Sequence, residues 1–218
     1  MISDLYFISG LGADARIFQR LELPSNVRVH HISWPPLSKK ETLETYCEKI
    51  RSQINSDHEF GIVGLSFGGI IATELTKKIN PKLTILLSSI SNKHELPLIY
   101  QICAKLRLNK VIPTYFMNKA YPFTSWAFGI EKNSDKALLK SIIHFTPGPF
   151  IKWALNEIIN WQNDLRPEGI FHIHGDSDRL FPSGLVKPDI KVEGAGHLMV
   201  FTHPKIISQL IRQKLPIE

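Results

Sequence analysis

The run Phe60-Gly-Ile-Val-Gly64-Leu-Ser66-Phe-Gly68-Gly69 decides the reading of this chain. Phe60–Val63 is a short apolar segment closed by glycine, the pattern of a strand buried on both faces. From Gly68 onward the period changes. Ile71, Leu75 and Ile79 recur at helical spacing, Lys77 and Lys78 stand in the last turn, and Pro81 lies just beyond. Gly64, Ser66 and Gly68 sit at the junction as G-x-S-x-G. A chain that passes from strand to helix within about two residues forces the central serine into a strained backbone conformation. Glycine two residues to either side leaves room for the neighbouring backbones. The serine hydroxyl then stands above the strand end, at the positive end of a helix.

Outward from this junction the same rhythm repeats. Strand-like runs occur at Leu5–Ile8, Val27–Ile32, Leu83–Leu87, Ile170–Ile173 and Asp189–Val192. Helical spacing marks Thr42–Ile54, behind Ser38 or Thr42 as N-cap, and Pro204–Lys214. The alternation predicts an α/β fold: a mostly parallel sheet of about six strands, with right-handed crossovers and helices on both faces. The rhythm breaks between residues 92 and 162, a stretch rich in aromatics from Tyr100 to Trp161. Helices are expected there over Leu96–Leu108, Asp135–His144 and Pro149–Trp161. The organisation predicted is a core of residues 1–91 and 163–218 with a helical cap of residues 92–162. Aromatic-rich insertions build apolar pockets, and Trp126 and Trp153 are the candidates to line one.

Composition narrows the function classes. The chain has 218 residues, 43% hydrophobic and 21% charged, ordinary for a soluble globular protein. No apolar run reaches the roughly 18 residues of a membrane span. The formal charge of +6 is scattered, and no basic stripe with interleaved aromatics points to nucleic acid. Cys47 and Cys103 make neither a disulfide framework nor a metal cage. Met1-Ile-Ser-Asp4 has no basic leader pattern, so a cytoplasmic protein acting on a small molecule, with no metal or cofactor, is expected. Oligomeric state is left open.

A nucleophilic serine needs a base and a group that orients the base. Of nine histidines, His197 stands apart: it lies in Gly194-Ala-Gly196-His197-Leu198, a glycine-bracketed loop after the last strand. His30, His31, His172 and His174 fall in or at the ends of strands, His58 and His94 in loops, His144 in a cap helix, and His203 directly before Pro204. The acid candidates are Asp176 and Asp178 in His174-Gly-Asp-Ser-Asp178-Arg-Leu-Phe-Pro182. Both follow the fifth strand at its carboxyl end, where sites of open α/β sheets gather. Two residues apart in an extended loop, they point to the same side, so periodicity leaves both open.

Over nearly its whole length the chain resembles the serine α/β-hydrolase family. The order Ser66, acid, His197 is that of the family. Its HGxxDxxxP pattern matches His174 to Pro182 and implies Asp178 as the acid. Its oxyanion loop matches Ser9-Gly10-Leu11-Gly12, implying backbone N–H donors at Leu11 and Phe67. Two features depart from the family. Ser9 replaces the usual histidine, and the two strands that usually precede the first parallel strand are missing. The resemblance implies a compact member with a helical cap, cleaving an ester or thioester through an acyl-enzyme. A lyase using the same triad is an alternative. An enzyme of that kind acting on a polyanion would be expected to carry cap arginines, whereas residues 92–162 hold only Arg107. This favours an uncharged or acyl-bearing substrate. A non-catalytic small-molecule receptor is the third reading.

Overall fold

The structure, a computed structural model, describes residues 2–105, 125–130, 132–144 and 146–215. Six strands form one sheet: β1 (Asp4–Ile8), β2 (Arg28–His31), β3 (Phe60–Leu65), β4 (Leu83–Leu87), β5 (Ile170–Gly175) and β6 (Ile190–Val192). Their order is β2-β1-β3-β4-β5-β6, and every pairing is parallel. The chain steps outward from β1 to β2, then returns past β1 to lay β3 on its other side. The direction of winding therefore reverses between β1 and β3, and the connections that leave the carboxyl ends of these two paired strands part to leave a crevice. The register Ile8↔Gly64 puts the Ser9–Gly12 loop beside Ser66 at that crevice.

Alternating side chains feed two cores. Tyr6, Ile8 and Ile62 face one layer with α1 (Leu43–Arg51), α2 (Phe67–Ile79) and the later helix Gly148–Ile159. Leu5, Phe7, Val63 and Leu65 face the other, with Phe18, Phe201, Ile207 and Ile211. Each fully buried Leu or Ile is worth about 1.5–3 kcal/mol, so the sheet is held from both sides. Thr42 caps α1 in a reciprocal box with Thr45. The sequence predicts this helix through Ile54, but it ends at Arg51. The N–H groups of Gln53 and Ile54 turn back to the carbonyls of Ile50 and Arg51, tightening the exit.

Three described α-helices fall in the 92–162 stretch, after a short 3-10 turn at Lys93–Glu95: α3 (Leu98–Lys105), α4 (Asn133–His144) and α5 (Gly148–Ile159). The expected cap aromatics Tyr115, Phe116, Tyr121, Phe123 and Phe145 lie outside the described residues, as does the end of the helix expected to reach Leu108. Polar contacts fasten α4 and α5 to the core. Arg20 pairs with buried Asp135 at 2.8 Å, and Arg16 donates to Ser141 at 3.3 Å. Glu157 accepts from the N–H of Leu43 at the start of α1. After β6 the chain closes with α6 (Met199–Thr202) and α7 (Pro204–Lys214). The crossover from β5 to β6 is a loop, as its short length in the sequence implies.

Candidate active site

Ser66 has φ 53° and ψ −119°, a conformation that costs a non-glycine residue of order 1–3 kcal/mol. The surroundings hold it there. Its N–H donates to the carbonyl of Leu87 at 3.0 Å, and its carbonyl accepts from Ser89 Oγ at 2.7 Å. A Cβ at Gly64 would strike the backbone of Gly68 and Gly69, and one at Gly68 would strike the carbonyls of Ile8 and Ser9. The two glycines of the G-x-S-x-G run thus let α2 start directly over β3 and against the β1 loop.

His197 reaches this serine from the loop after β6. Its Nε2 lies 2.8 Å from Ser66 Oγ, and its Nδ1 lies 2.8 Å from Asp178 Oδ2. A carboxylate only accepts, so Nδ1 carries the proton and Nε2 is left to accept from the serine hydroxyl. The other carboxylate oxygen, Asp178 Oδ1, accepts from the N–H groups of Leu180 and Phe181 at 2.9 and 3.0 Å. Burial pushes the Asp178 carboxyl upward, but the charge and hydrogen bond of His197, with His174 and the Phe181 N–H, outweigh it, and the net shift is down. Phe128 stacks on the His197 ring at 5.5 Å and Phe181 meets its edge at 5.6 Å, fixing the ring plane.

Asp176, the other acid candidate, is exposed. Its Oδ1 accepts from the N–H of Gly194 and from Ser177 Oγ, which ties the β5 loop to the histidine loop. The structure brings Asp178, not Asp176, to His197. His174 is fully buried behind the acid. Its Nε2 donates to the Phe181 carbonyl at 2.7 Å and faces Asp178 Oδ2 at 3.4 Å.

On the far side of Ser66, Phe67 opens α2 and Leu11 lines the small cavity at the serine. The loop carrying Leu11 is pinned by the residue that departs from the family pattern. Ser9 Oγ donates to the Ala13 carbonyl at 2.6 Å and accepts from Trp34 Nε1 at 2.8 Å. The indole N–H is shared with the Ala13 carbonyl at 3.1 Å. Trp34 stacks on Phe67, ring centroids 5.7 Å apart and planes within 13°, and packs on Phe150 at 5.4 Å.

Two cavities open here. One of about 20 Å³ sits between Ser66, His197, Phe128 and Leu139. A groove of about 550 Å³ begins at Gly12 and Ala13, shared with the first, and runs between Trp34–Leu37 and Thr146–Phe150. Trp126 and Trp153 line neither. Trp126 is 55% exposed with the Arg179 guanidinium 4.7 Å over its ring. Trp153 donates to the Glu41 carbonyl at 3.1 Å and packs on Tyr46 and Phe67. Trp34 lies outside the 92–162 stretch in which pocket aromatics are expected. The signal is nonetheless present: Trp34-Pro35-Pro36 follows the second strand at its carboxyl end, where ligands of such sheets collect.

Among the described residues, no group of three His, Cys, Asp or Glu side chains is arranged to hold a metal ion. None of the described helices is long and apolar enough to cross a membrane.

No family model and no curated protein sequence matches the chain. Solved structures do. A hydrolase from Pseudomonas aeruginosa PA01 superposes with a TM-score of 0.78 at 15% identity, covering 99% of this chain and 91% of that one. A thermophilic esterase from Thermogutta terrifontis gives 0.70 at 15% identity, over 97% and 89%. A lipase-esterase related protein from Clostridium acetobutylicum ATCC 824 gives 0.67 at 16% identity, over 96% and 93%. With its parallel six-stranded sheet and the serine at the β3–α2 junction, the chain has the α/β-hydrolase fold.

Proposed function

We propose that the protein is a serine hydrolase that cleaves an uncharged or acyl-bearing ester or thioester through an acyl-enzyme. One observation carries this reading: the unbroken chain of contacts from Ser66 Oγ through His197 to Asp178, each link 2.8 Å. Ser66 Oγ attacks the carbonyl carbon while its proton passes to His197 Nε2. Asp178 holds the ring in the required tautomer and stabilises the imidazolium. The N–H groups of Phe67 and Leu11 receive the oxyanion, each worth roughly 3–4 kcal/mol in the transition state. His197 then protonates the leaving alcohol or thiol. Water, deprotonated by the same histidine, releases the acid from Ser66. The esterase names among the structural neighbours agree with this chemistry. In this reading the described helices of the 92–162 stretch serve as a cap, with α4 and α5 fastened to the core beside the serine.

The test is a fluorophosphonate probe together with a panel of p-nitrophenyl esters. A hydrolase is labelled at Ser66 and turns the esters over. A receptor or lyase leaves the ester panel untouched.

A further inference from the structure

We infer that the groove between the Trp34–Leu37 loop and the start of α5 is the acyl subsite, and that it selects an extended, uncharged apolar acyl group. The inference rests on the hydrolase reading and deepens it. Three observations carry it.

The first is continuity. Gly12 and Ala13 line both the groove and the small cavity that contains Ser66 and His197. The two cavities therefore meet at this loop, and a group bonded to Ser66 that crosses it enters the groove.

The second is direction. In acylation the Ser66 Oγ–carbon bond forms and the bond from that carbon to the leaving oxygen breaks. The serine proton travels through His197 Nε2 to that oxygen. The leaving group must accordingly stay on the His197 side, against Phe128 and Leu198. The acyl remainder runs the other way, and the groove is what lies there, with no residue of the histidine or acid loops in its lining.

The third is chemistry. The walls are Trp34, Pro36, Leu37, Pro147 and Phe150, and about 550 Å³ falls within the size of small-molecule sites. Among the described residues of the lining the one that carries a charge, Asp14, is held by nearby Arg16 through bonds of 2.7–3.0 Å, so these walls offer no free charge to a polar tail. Trp34 adds a coupling. Its N–H ties it to Ser9 and Ala13, and its ring lies on Phe67. The groove wall and the proposed oxyanion donors thus share one rigid unit.

The experiment compares two series in the full chain and in two variants that fill the groove from opposite walls, Leu37→Trp and Pro149→Trp. One series lengthens the acyl group of methyl esters from acetate to decanoate. The other lengthens the alcohol of acetate esters. The expected result is a kcat/KM that rises with acyl length in the native protein, and an octanoate-to-acetate ratio at least tenfold lower in both variants. A ratio unmoved in both variants, or a loss confined to the alcohol series, overturns the assignment. A readout without chemistry separates this inference from the hydrolase reading. In Ser66→Ala, octanamide should displace the neutral dye Nile red, and adding Leu37→Trp should abolish the displacement. Displacement without any ester turnover in the native protein keeps the groove and removes the hydrolase. Turnover together with displacement that Leu37→Trp leaves intact does the reverse.

Discussion

The two sides of Ser66 are built by different physics. On the His197 side, position comes from hydrogen bonds within and between two neighbouring loops, those after β5 and β6. Asp178 is gripped by the N–H groups two and three residues on, and the β5 and histidine loops are tied through Asp176 and Gly194. On the Trp34 side, position comes from aromatic packing among residues 34, 46, 67, 150 and 153, drawn from four separate elements. Polar side chains with one satisfying geometry leave a local motif. Rings that fill space leave none. The first side suits a reaction that needs atoms held to fractions of an ångström, and the second suits recognition of a shape.

The sharpest way to break this contrast is on the polar side. Ser66→Ala should abolish fluorophosphonate labelling and lower kcat by about 10⁴–10⁶, with the circular-dichroism spectrum unchanged. Labelling that survives at another serine removes Ser66 from its proposed role. Next is the acid. Asp178→Asn keeps the shape but offers His197 the wrong tautomer, and should cost about 10⁴ in kcat. Asp176→Asn keeps an acceptor for Gly194 and should stay within roughly tenfold. Steady-state rates in the reverse order would transfer the role to Asp176.

A smaller effect separates the polar side from its own scaffold. His172 lies fully buried on β5, facing His174, Arg166 and Asp189 and the backbone of Ser89. Burial, with His174 and Arg166 adding to it, pushes its pKa down to about 3. The folded ring refuses a proton that the unfolded chain accepts below about 6.5. Its contribution to stability is therefore intact above that value and falls as pH drops toward 3, by about 1.4 kcal/mol per pH unit. Urea midpoints between pH 7 and 5 should fall less steeply in His172→Phe than in the native protein. His174 and His31, also shifted down by burial, leave a residual slope in the variant. Equal slopes in the two proteins would mean that His172 takes up its proton without unfolding.

Legibility in the sequence follows the same division. All six strands could be read: β1, β3, β4 and β5 as short apolar runs, and the edge strands β2 and β6 by β-branched residues set among polar ones. The G-x-S-x-G junction could be read because backbone approach demands glycine at fixed offsets. Asp176 and Asp178 could not be separated by period, since residues two apart in an extended segment share a side. What distinguishes them is depth: Asp178 is 4% exposed and Asp176 lies at the surface. Trp34 is marked only by its place after the second strand, because the partners that make it a groove wall are 33 and 116 positions away, at Phe67 and Phe150. Trp126 and Trp153 showed the converse. Aromatic identity and a place between strands drew them in, yet one is spread on the surface under Arg179 and the other is spent on packing Tyr46.

Ser9 is where the two sides meet, and its replacement should have the smallest effect of the series. Its hydroxyl bonds the Ala13 carbonyl at 2.6 Å and receives the Trp34 N–H at 2.8 Å. Ser9→Ala removes both bonds but leaves no donor stranded, because the indole N–H retains the Ala13 carbonyl at 3.1 Å. The stability loss should therefore be that of ordinary hydrogen bonds, about 1 kcal/mol, rather than the larger cost of a buried unpaired group. Function should register it differently. With Ser9 gone, the loop bearing Leu11 is held to Trp34 by a single contact, and a slackened oxyanion donor acts only in the transition state. The expected outcome is a fall of up to tenfold in kcat with KM little changed. Acyl-chain preference should hold, because Trp34 stays stacked on Phe67 and Phe150. A variant that instead raised KM for long acyl esters at constant kcat would show that Ser9 supports the groove and not the oxyanion loop, and the two sides of the site would then be independent.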